Sequence, residues 1–295
     1  MSIQSVLFDA PGPKARARIR LINGIGAVLA IGLLIYLGFA LYDAGQLSPE
    51  KWTVFLKADI WAYYLLPGLL ATLKAAALSI ITGTVFGLIF GLGRLSENKI
   101  INGISSVVVE FFRAVPVLLM MIFFWLILGR ADIFDPAQTP FIAVVLGLTL
   151  YNGSVIAELI RAGVHGLPKG QREAGIAIGL TRGQCLRLIE IPQALVAMLP
   201  ALISQFVVVL KDSALGSIIT YSELLNMAKL VGTGNSNVMQ ALAVAALIFI
   251  LINFGLSKLA TLASHRLSSR GIATEGPLIP GMPEEMDIDT EPAKP

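Results

Sequence analysis

Six stretches of the chain are long and apolar enough to cross a lipid bilayer as helices, and they leave little sequence for any other architecture. A helix needs about 20 predominantly apolar residues to span the hydrocarbon core. The six predicted spans are 24–42, 65–92, 103–128, 137–160, 191–210 and 238–263. The first is too long for a signal peptide and lacks a small-residue cleavage site. The sequence therefore predicts an all-α polytopic membrane protein.

The composition agrees with this fold class and excludes several others. Only 14% of the residues are charged, whereas a soluble domain carries about 25%, so too little charge is present to cover a water-facing surface. This excludes ordinary soluble enzymes and disordered proteins. The net charge of +3 is small and basic residues alternate with apolar runs, so we expect no nucleic-acid partner.

The distribution of Lys and Arg predicts the orientation of the chain, because the cytoplasmic loops of membrane proteins are rich in these residues. With the N-terminus inside, 14 of the 22 Lys and Arg fall in inner loops and tails and four fall in outer loops. We therefore predict a multi-pass protein of the cell (plasma) membrane with both termini in the cytoplasm.

The predicted spans divide the chain into four parts. Residues 1–23 form a basic cytoplasmic tail, 24–64 an additional transmembrane helix with an outer loop, 65–263 the main transmembrane domain, and 264–295 a cytoplasmic tail. The last 25 residues of that tail carry six acids and five prolines with no apolar periodicity. Such a segment cannot bury enough apolar surface to offset its ordering entropy, so we predict that the acidic, Pro-rich tail is disordered.

The cytoplasmic connection between the fourth and fifth spans is much longer than its neighbours. Pro168 suits the first turn of a helix, and Gly179 is placed to end that helix because glycine adopts the left-handed conformation without strain. Thr181 and Gln184 fit a capping box that begins a second helix, and Pro192 falls in the first turn of the fifth span. We predict two short helices joined by a sharp bend on the cytoplasmic surface.

The first of these helices combines small side chains with one carboxylate. Ala174, Gly175 and Ala177 are small, and Glu173 supplies the charge. Small side chains let a groove on another protein approach the helix backbone, and a single charge can fix the orientation. The residues fit either a docking helix for a partner or an ordinary amphipathic interface helix.

The same connection carries a motif that resembles a known family. Its EAG-x3-G pattern, followed by IPQA, resembles the EAA loop of ABC-transporter permease subunits. The stretches LPKGQ, EFFRAVPVLL and KDSALG are similar to segments of the polar amino-acid uptake branch of that family, and to actinobacterial glutamate-uptake permeases in particular. The resemblance covers about 65–263. The chain departs from the family pattern at four positions, Ala114, Val115, Gly175 and Ala214.

This resemblance implies a fold, a function and a set of partners. The fold is a five-span type I ABC importer permease core with one extra N-terminal transmembrane helix and with cytoplasmic coupling helices in the loop 161–190. The function is ATP-driven import of a polar amino acid, for which we expect glutamate. The partners are two copies of an ATP-binding subunit, a second and related permease in a heterodimer, and an extracellular amino-acid-binding protein. Coupling to the ATPase is assigned to eight residues, Pro168, Gln171, Glu173, Ala174, Gly175, Gly179, Ile191 and Pro192.

The chain lacks the motifs that would let it hydrolyse ATP or catalyse another reaction. It contains no GxxxxGK[ST], HExxH or GxSxG pattern and only two histidines. We therefore expect a non-catalytic subunit that holds no cofactor, with ATP and Mg bound by the partner ATPase.

Several ionisable and polar residues fall within or beside predicted spans, where they are costly and often face a solute pathway. The candidates are Glu110, Arg113, Asn152, Ser154, Lys211, Asp212 and Ser213. Glu110 and Arg113 lie three residues apart and can pair, and Pro116 predicts a kink or a break in the helix beside them. Each set also has a purely structural interpretation. Glu110 and Arg113 could form a static ion pair, and Asn152 and Ser154 could form hydrogen bonds between helices. Lys211 and Asp212 could be an interfacial pair that reaches the lipid headgroups. Both interpretations stay open.

Three glycines, Gly83, Gly87 and Gly91, recur at every fourth residue of the second span. This spacing predicts close packing against another helix, either within the chain or on a second permease.

The main alternative function is an ion-driven secondary amino-acid transporter or channel subunit. Such proteins often contain inverted repeats with matched broken helices, and these spans contain no convincing duplication. A membrane enzyme would need a nucleophile with a base, or a metal set, in the spans. A scaffold would tolerate apolar replacements of its intramembrane charges.

Overall fold

The structure is a computed structural model that describes residues 12–271, and these residues are helical with short connections and no strand. The helices are α1 (Pro13–Asp43), α2 (Pro49–Thr53), α3 (Ala58–Arg94), α4 (Lys99–Ala114), α5 (Val117–Ala131), α6 (Thr139–His165), α7 (Lys169–Ala177), α8 (Arg182–Ile219), α9 (Leu224–Gly234) and α10 (Val238–Gly271). The backbone of α10 is helical to Gly271, so the prediction of a disordered tail over 264–295 is wrong for its first eight residues. The rest of the predicted disordered tail, 272–295, and the start of the basic tail, 1–11, lie outside the described residues.

Five of these helices, α1, α3, α6, α8 and α10, are long and apolar enough to cross a membrane. The third predicted span is instead a pair, α4 and α5, bent by 96°. The break confirms the prediction made from Pro116, which has no N–H for the helical hydrogen bond. Val115 before it is extended, with φ −84° and ψ 128°, as the residue before a proline usually is. Counting the bent pair as one span gives the six that the sequence predicts.

The described chain divides into two compact units, each considered by itself. The first contains residues 12–66 and 227–245. In it, α1 buries no residue of its own, as expected of an additional helix whose apolar side chains face lipid. The segment after α1 is held by polar contacts, since Gln240 Nε2 donates to the carbonyl of Gln46 and Asn237 Nδ2 donates to the carbonyl of Lys51 at 2.8 Å.

The second unit contains residues 67–226 and 246–271. Its core is formed by buried apolar residues of α3, α5, α6, α8 and the turn that follows α8, namely Ala75, Met121, Ala143, Val144, Leu148, Val209, Ile219 and Tyr221. The repeated glycines of α3 face α6. A Cβ atom on Gly87 would lie 2.5 Å from Ile156 Cγ2, and one on Gly91 would lie 3.1 Å from the carbonyl of Ala157. The glycine repeat therefore packs within the chain.

Candidate functional site

The long connection between α6 and α8 folds as a helix, a sharp turn and a second helix start. Pro168 is the N-cap of α7, so the helix begins one residue later than predicted. Gly179 lies in the left-handed region with φ 89° and ends the turn after α7, as expected. The predicted capping box is present: the Thr181 N–H donates to Gln184 Oε1 at 2.8 Å, and the Gln184 N–H donates to Thr181 Oγ1 at 3.4 Å.

One prediction for this region is wrong. The second short helix is not separate from the fifth span, because α8 runs without a break from Arg182 to Ile219. A π-helical turn, Leu186–Glu190, precedes Pro192, and the N–H of Ile191 donates to the carbonyl of Leu186. This wider turn lets the helix continue past a proline that has no N–H to donate. Ile191 and Pro192 thus lie within α8.

One face of α7 is open to solvent. Gln171, Glu173 and Ala174 are exposed, as are Ile176 and Ile178. An exposed strip with small residues, a carboxylate and two isoleucines is suited to contact with another protein.

The opposite face of α7 packs against the first turns of α8. Gly175 is buried, and a Cβ atom there would lie 2.7 Å from Cys185 Sγ and 2.9 Å from Ile189 Cδ1. Cys185 is itself fully buried. The departure from the family's alanine at position 175 therefore has a local cause: the cysteine sulfur fills the space that an alanine methyl would take.

Two polar contacts join the same helices. Arg172 Nε donates to Glu190 Oε1 at 2.7 Å, and the Glu190 side chain is only 5% exposed. Gln193 Nε2 donates to Gln171 Oε1 at 3.1 Å. Sequence reasoning missed the ion pair. The available signal was Glu190 itself, the one acid in the apolar run LRLIEIP.

Glu110 and Arg113 belong to a larger group that we call the charge cluster: Arg94, Glu110, Arg113, Glu158 and Arg161. Arg94 forms ion pairs with Glu110 at 3.0 Å and with Glu158 at 2.8 Å. Arg113 lies 3.6 Å from Glu110 and 3.4 Å from Glu158, and Arg161 lies 2.6 Å from Glu158. The cluster joins the ends of α3 and α6 to α4. The predicted pair is present, and its charges are shared among three helices in this structure.

Asn152 and Ser154 are fully buried within the second unit. Asn152 Oδ1 accepts a hydrogen bond from Gln205 Nε2 at 2.6 Å, and its Nδ2 donates to the carbonyl of Leu148 at 3.2 Å. In this structure the hydrogen bond from Gln205 to Asn152 joins α6 to α8, which is the structural interpretation given above for this residue. The side chains of Asn152 and Ser154 are both buried and do not face open space.

The remaining candidates lie towards the other end of α8. Lys211 is exposed, Asp212 is half-buried, and Ser213 is buried with its hydroxyl donating to the carbonyl of Leu210 at 2.7 Å. Met198 of α8 packs near Gly163 of α6, which lies two residues after Arg161 of the charge cluster. Asp212 follows Met198 by 14 residues, about 21 Å along a helix. The structure therefore does not bring Lys211 and Asp212 together with the charge cluster.

Comparisons with known proteins agree on one family. A family model described as "binding-protein-dependent transport system inner membrane component" matches residues 83–269. The glutamate transport system permease protein GluD of Corynebacterium glutamicum is 46% identical over 247 residues, covering 84% of this chain and 90% of that protein. The probable glutamine ABC transporter permease protein GlnP of Bacillus subtilis is 34% identical over 210 residues, covering 70% of this chain and 93% of that protein.

A solved structure supports the same grouping. The crystal structure of an amino acid ABC transporter with histidines matches with a TM-score of 0.66 and 31% identity, covering 72% of this chain and 98% of that one. This match, which covers 98% of that chain and 72% of this one, agrees with the fold predicted from the sequence.

Proposed function

The chain belongs to the family of binding-protein-dependent transport system inner membrane components, and we propose that it is the permease subunit of an ABC importer that carries a polar amino acid, with glutamate as the substrate. The observation that carries this proposal is the 46% identity across 90% of a glutamate transport permease. The exposed face of α7 and its packing on α8 provide the geometry that such a subunit needs.

The energy for transport comes from partner subunits in this proposal. Two ATP-binding subunits would bind ATP and Mg and contact the exposed face of α7, where Glu173 and Ala174 are accessible. An extracellular amino-acid-binding protein would deliver the solute, and a second, related permease would complete the pathway. This chain would itself catalyse no reaction.

The proposed orientation places both termini and α7 in the cytoplasm. It is supported by the excess of Lys and Arg in the loops on that side, 14 against four. In this orientation Lys211 and Asp212 lie towards the outer end of α8. Glutamate carries two carboxylates and one ammonium group, so an exposed cation beside a half-buried anion suits an entering amino acid, and we propose these two residues as part of the pathway.

The test is ATP-dependent uptake by the assembled complex. The full chain is purified in mild detergent with its co-eluting ATPase, reconstituted into liposomes with the binding protein, and supplied with labelled glutamate, with aspartate, glutamine and arginine as competitors. We expect uptake to require ATP and the ATPase. Uptake that persists without either would overturn the proposal in favour of an ion-driven transporter or channel.

A variant of the exposed face tests the coupling role. Glu173→Lys reverses the charge on α7 and is expected to abolish uptake while the chain still inserts into the membrane. Glu97→Lys reverses an exposed carboxylate in the α3–α4 turn, outside α7, and is the matched control. Normal uptake by Glu173→Lys would contradict the coupling role.

A further inference from the structure

The contacts of α7 are unevenly distributed between its two neighbouring helices. Its side-chain hydrogen bonds and its ion pair reach α8, through Arg172–Glu190 and Gln171–Gln193. Among the described residues, no side-chain hydrogen bond or ion pair joins α7 to α6. The side-chain contacts of α7 therefore link it to α8, while α6 is joined to α7 by the short connection 166–168.

The Arg172–Glu190 pair is the strongest of these contacts. The Glu190 side chain is almost fully buried, the Arg172 side chain is 36% exposed, and Arg172 Nε lies 2.7 Å from Glu190 Oε1. A buried carboxylate that loses its cation is left with an uncompensated charge, so the pair resists separation. The planar guanidinium also fixes the direction of approach better than an ammonium group would.

Close packing at Gly175 adds to the contact between α7 and α8. Gly175 lies against Cys185 and Ile189 of α8. Cys185 directly precedes the π-helical turn that contains Glu190, and Ile189 lies within that turn. Beyond the π-helical turn, Ala194 and Met198 are buried, and both lie close to Gly163 of α6. A displacement of α7 is therefore passed to Cys185 and Ile189, and along α8 to Ala194 and Met198, where α8 packs on α6.

We propose that Arg172 and Glu190 are positioning residues for the coupling step: their ion pair fixes α7 to α8, so that movement imposed on α7 reaches α8 and is not absorbed in the turn between them. This inference rests on the proposed function, because it assumes that a partner ATPase acts on α7. Neither residue contacts the solute in this proposal.

The first experiment measures the number of amino-acid molecules imported per ATP hydrolysed in reconstituted complexes. Arg172→Gln and Glu190→Gln are each expected to lower this ratio about fivefold or more, the lower end of typical coupling between sites. The amount of co-eluting ATPase should stay the same. The double variant should be no worse than either single one, because all three lack the same contact.

The matched control is the exposed pair between Glu97 and Arg182, whose closest atoms lie 3.5 Å apart. Arg182 follows α7 closely in sequence, but the pair does not join α7 to α8. Glu97→Gln and Arg182→Gln should leave the ratio unchanged. A general effect of removing charge from this surface would lower the ratio in the controls as well, and would overturn the inference.

A cross-link keeps the inference testable if the single variants fail to assemble. Cys185 is the only cysteine, so Cys185→Ala gives a background in which Gln171→Cys and Gln193→Cys can be joined by a short bifunctional methanethiosulfonate reagent. We expect the cross-link not to lower transport below that of the same double-cysteine variant before cross-linking, and to raise the ratio when Glu190→Gln is added to that variant. Loss of transport on cross-linking would show that α7 must move relative to α8, against the inference.

The two levels of proposal fail in different ways. If the unaltered complex shows no ATP-dependent amino-acid uptake, the proposed function is wrong. If the unaltered complex transports normally and the Arg172 and Glu190 variants keep the normal ratio, the proposed function stands and only the positioning role is refuted.

Discussion

The contact between Gly175 and Cys185 predicts that the alanine usual in the family at position 175 is harmful in this chain. A Cβ atom at 175 would lie 2.7 Å from Cys185 Sγ and 2.9 Å from Ile189 Cδ1, both closer than atoms can approach. The methyl group at the end of Ile189 can turn away. The Cys185 sulfur has one rotatable bond and is fully buried, so the sulfur decides the outcome.

The magnitude follows from two opposing effects. Overpacking of a filled core costs about 1–3 kcal/mol, while replacing glycine by alanine inside a helix contributes about 1 kcal/mol of stability. We expect Gly175→Ala to destabilise the α7–α8 contact by about 1 kcal/mol after this offset. In the double variant with Cys185→Ala, the new methyl takes the space of the sulfur, so the two changes should compensate by about 1–2 kcal/mol.

The assay is a double-mutant cycle on the purified complex. Thermal unfolding in detergent gives the order of stability, and ATP-dependent uptake gives the functional effect. Gly175→Ala alone should lower both, and Gly175→Ala with Cys185→Ala should recover both. Effects of the two substitutions that simply add, or a Gly175→Ala variant as stable as the original chain, would refute the steric reasoning.

Three further predictions concern the second unit. Gly87→Ala should destabilise the α3–α6 contact by about 1–2 kcal/mol because its methyl meets a β-branched side chain and a backbone carbonyl, whereas Gly103→Ala, which meets nothing within 4 Å, should stabilise; thermal unfolding of the two variants gives opposite signs. Glu158→Gln removes the carboxylate that three arginines of the charge cluster share. We expect the free energy of unfolding to fall by about 2 kcal/mol, which thermal unfolding would detect as a lower unfolding temperature. An unchanged unfolding temperature would mean that the cluster adds no stability. Lys211→Gln should raise the KM for glutamate uptake with little change in the free energy of unfolding. Asn152→Ala should lower the free energy of unfolding by about 0.6 kcal/mol with little change in KM. The reverse pattern would contradict the pathway role of Lys211 and the structural role of Asn152.

The helices and their breaks were predictable wherever one residue type dictates the backbone. Pro116 predicts the bend between α4 and α5 because its missing N–H and its crowding of the preceding residue weaken the helix at that point. Pro192 shows the limit of that rule. The same missing N–H is accommodated there by a π-helical turn, and nothing in the local sequence distinguishes the two outcomes.

The contacts of the candidate site were harder to predict, because they depend on which residues of distant segments meet. Glu110 and Arg113 could be paired from their spacing alone, since three residues place them on one helical face. Arg94 and Glu158 join them only through the packing of α3 and α6. Arg172 and Glu190 are 18 positions apart across a turn, so their pairing requires knowing that α7 folds back on α8.

The ion pairs divide the helix ends around a cavity of about 520 Å³ into two groups. The charge cluster joins α3, α4 and α6 on one side, and the Arg172–Glu190 pair joins α7 to α8 on the other. Between the two groups, the described residues hold one ion pair, Glu97–Arg182, whose side chains are 61% and 64% exposed. An exposed pair of this kind contributes about 0–1 kcal/mol, so ion pairs add little to the contact between α6 and α8. That contact is made by packing, where Ala194 and Met198 of α8 lie beside Gly163 of α6. We therefore expect a force on α7 to move the first turns of α8 together with the part of α6 on which they pack.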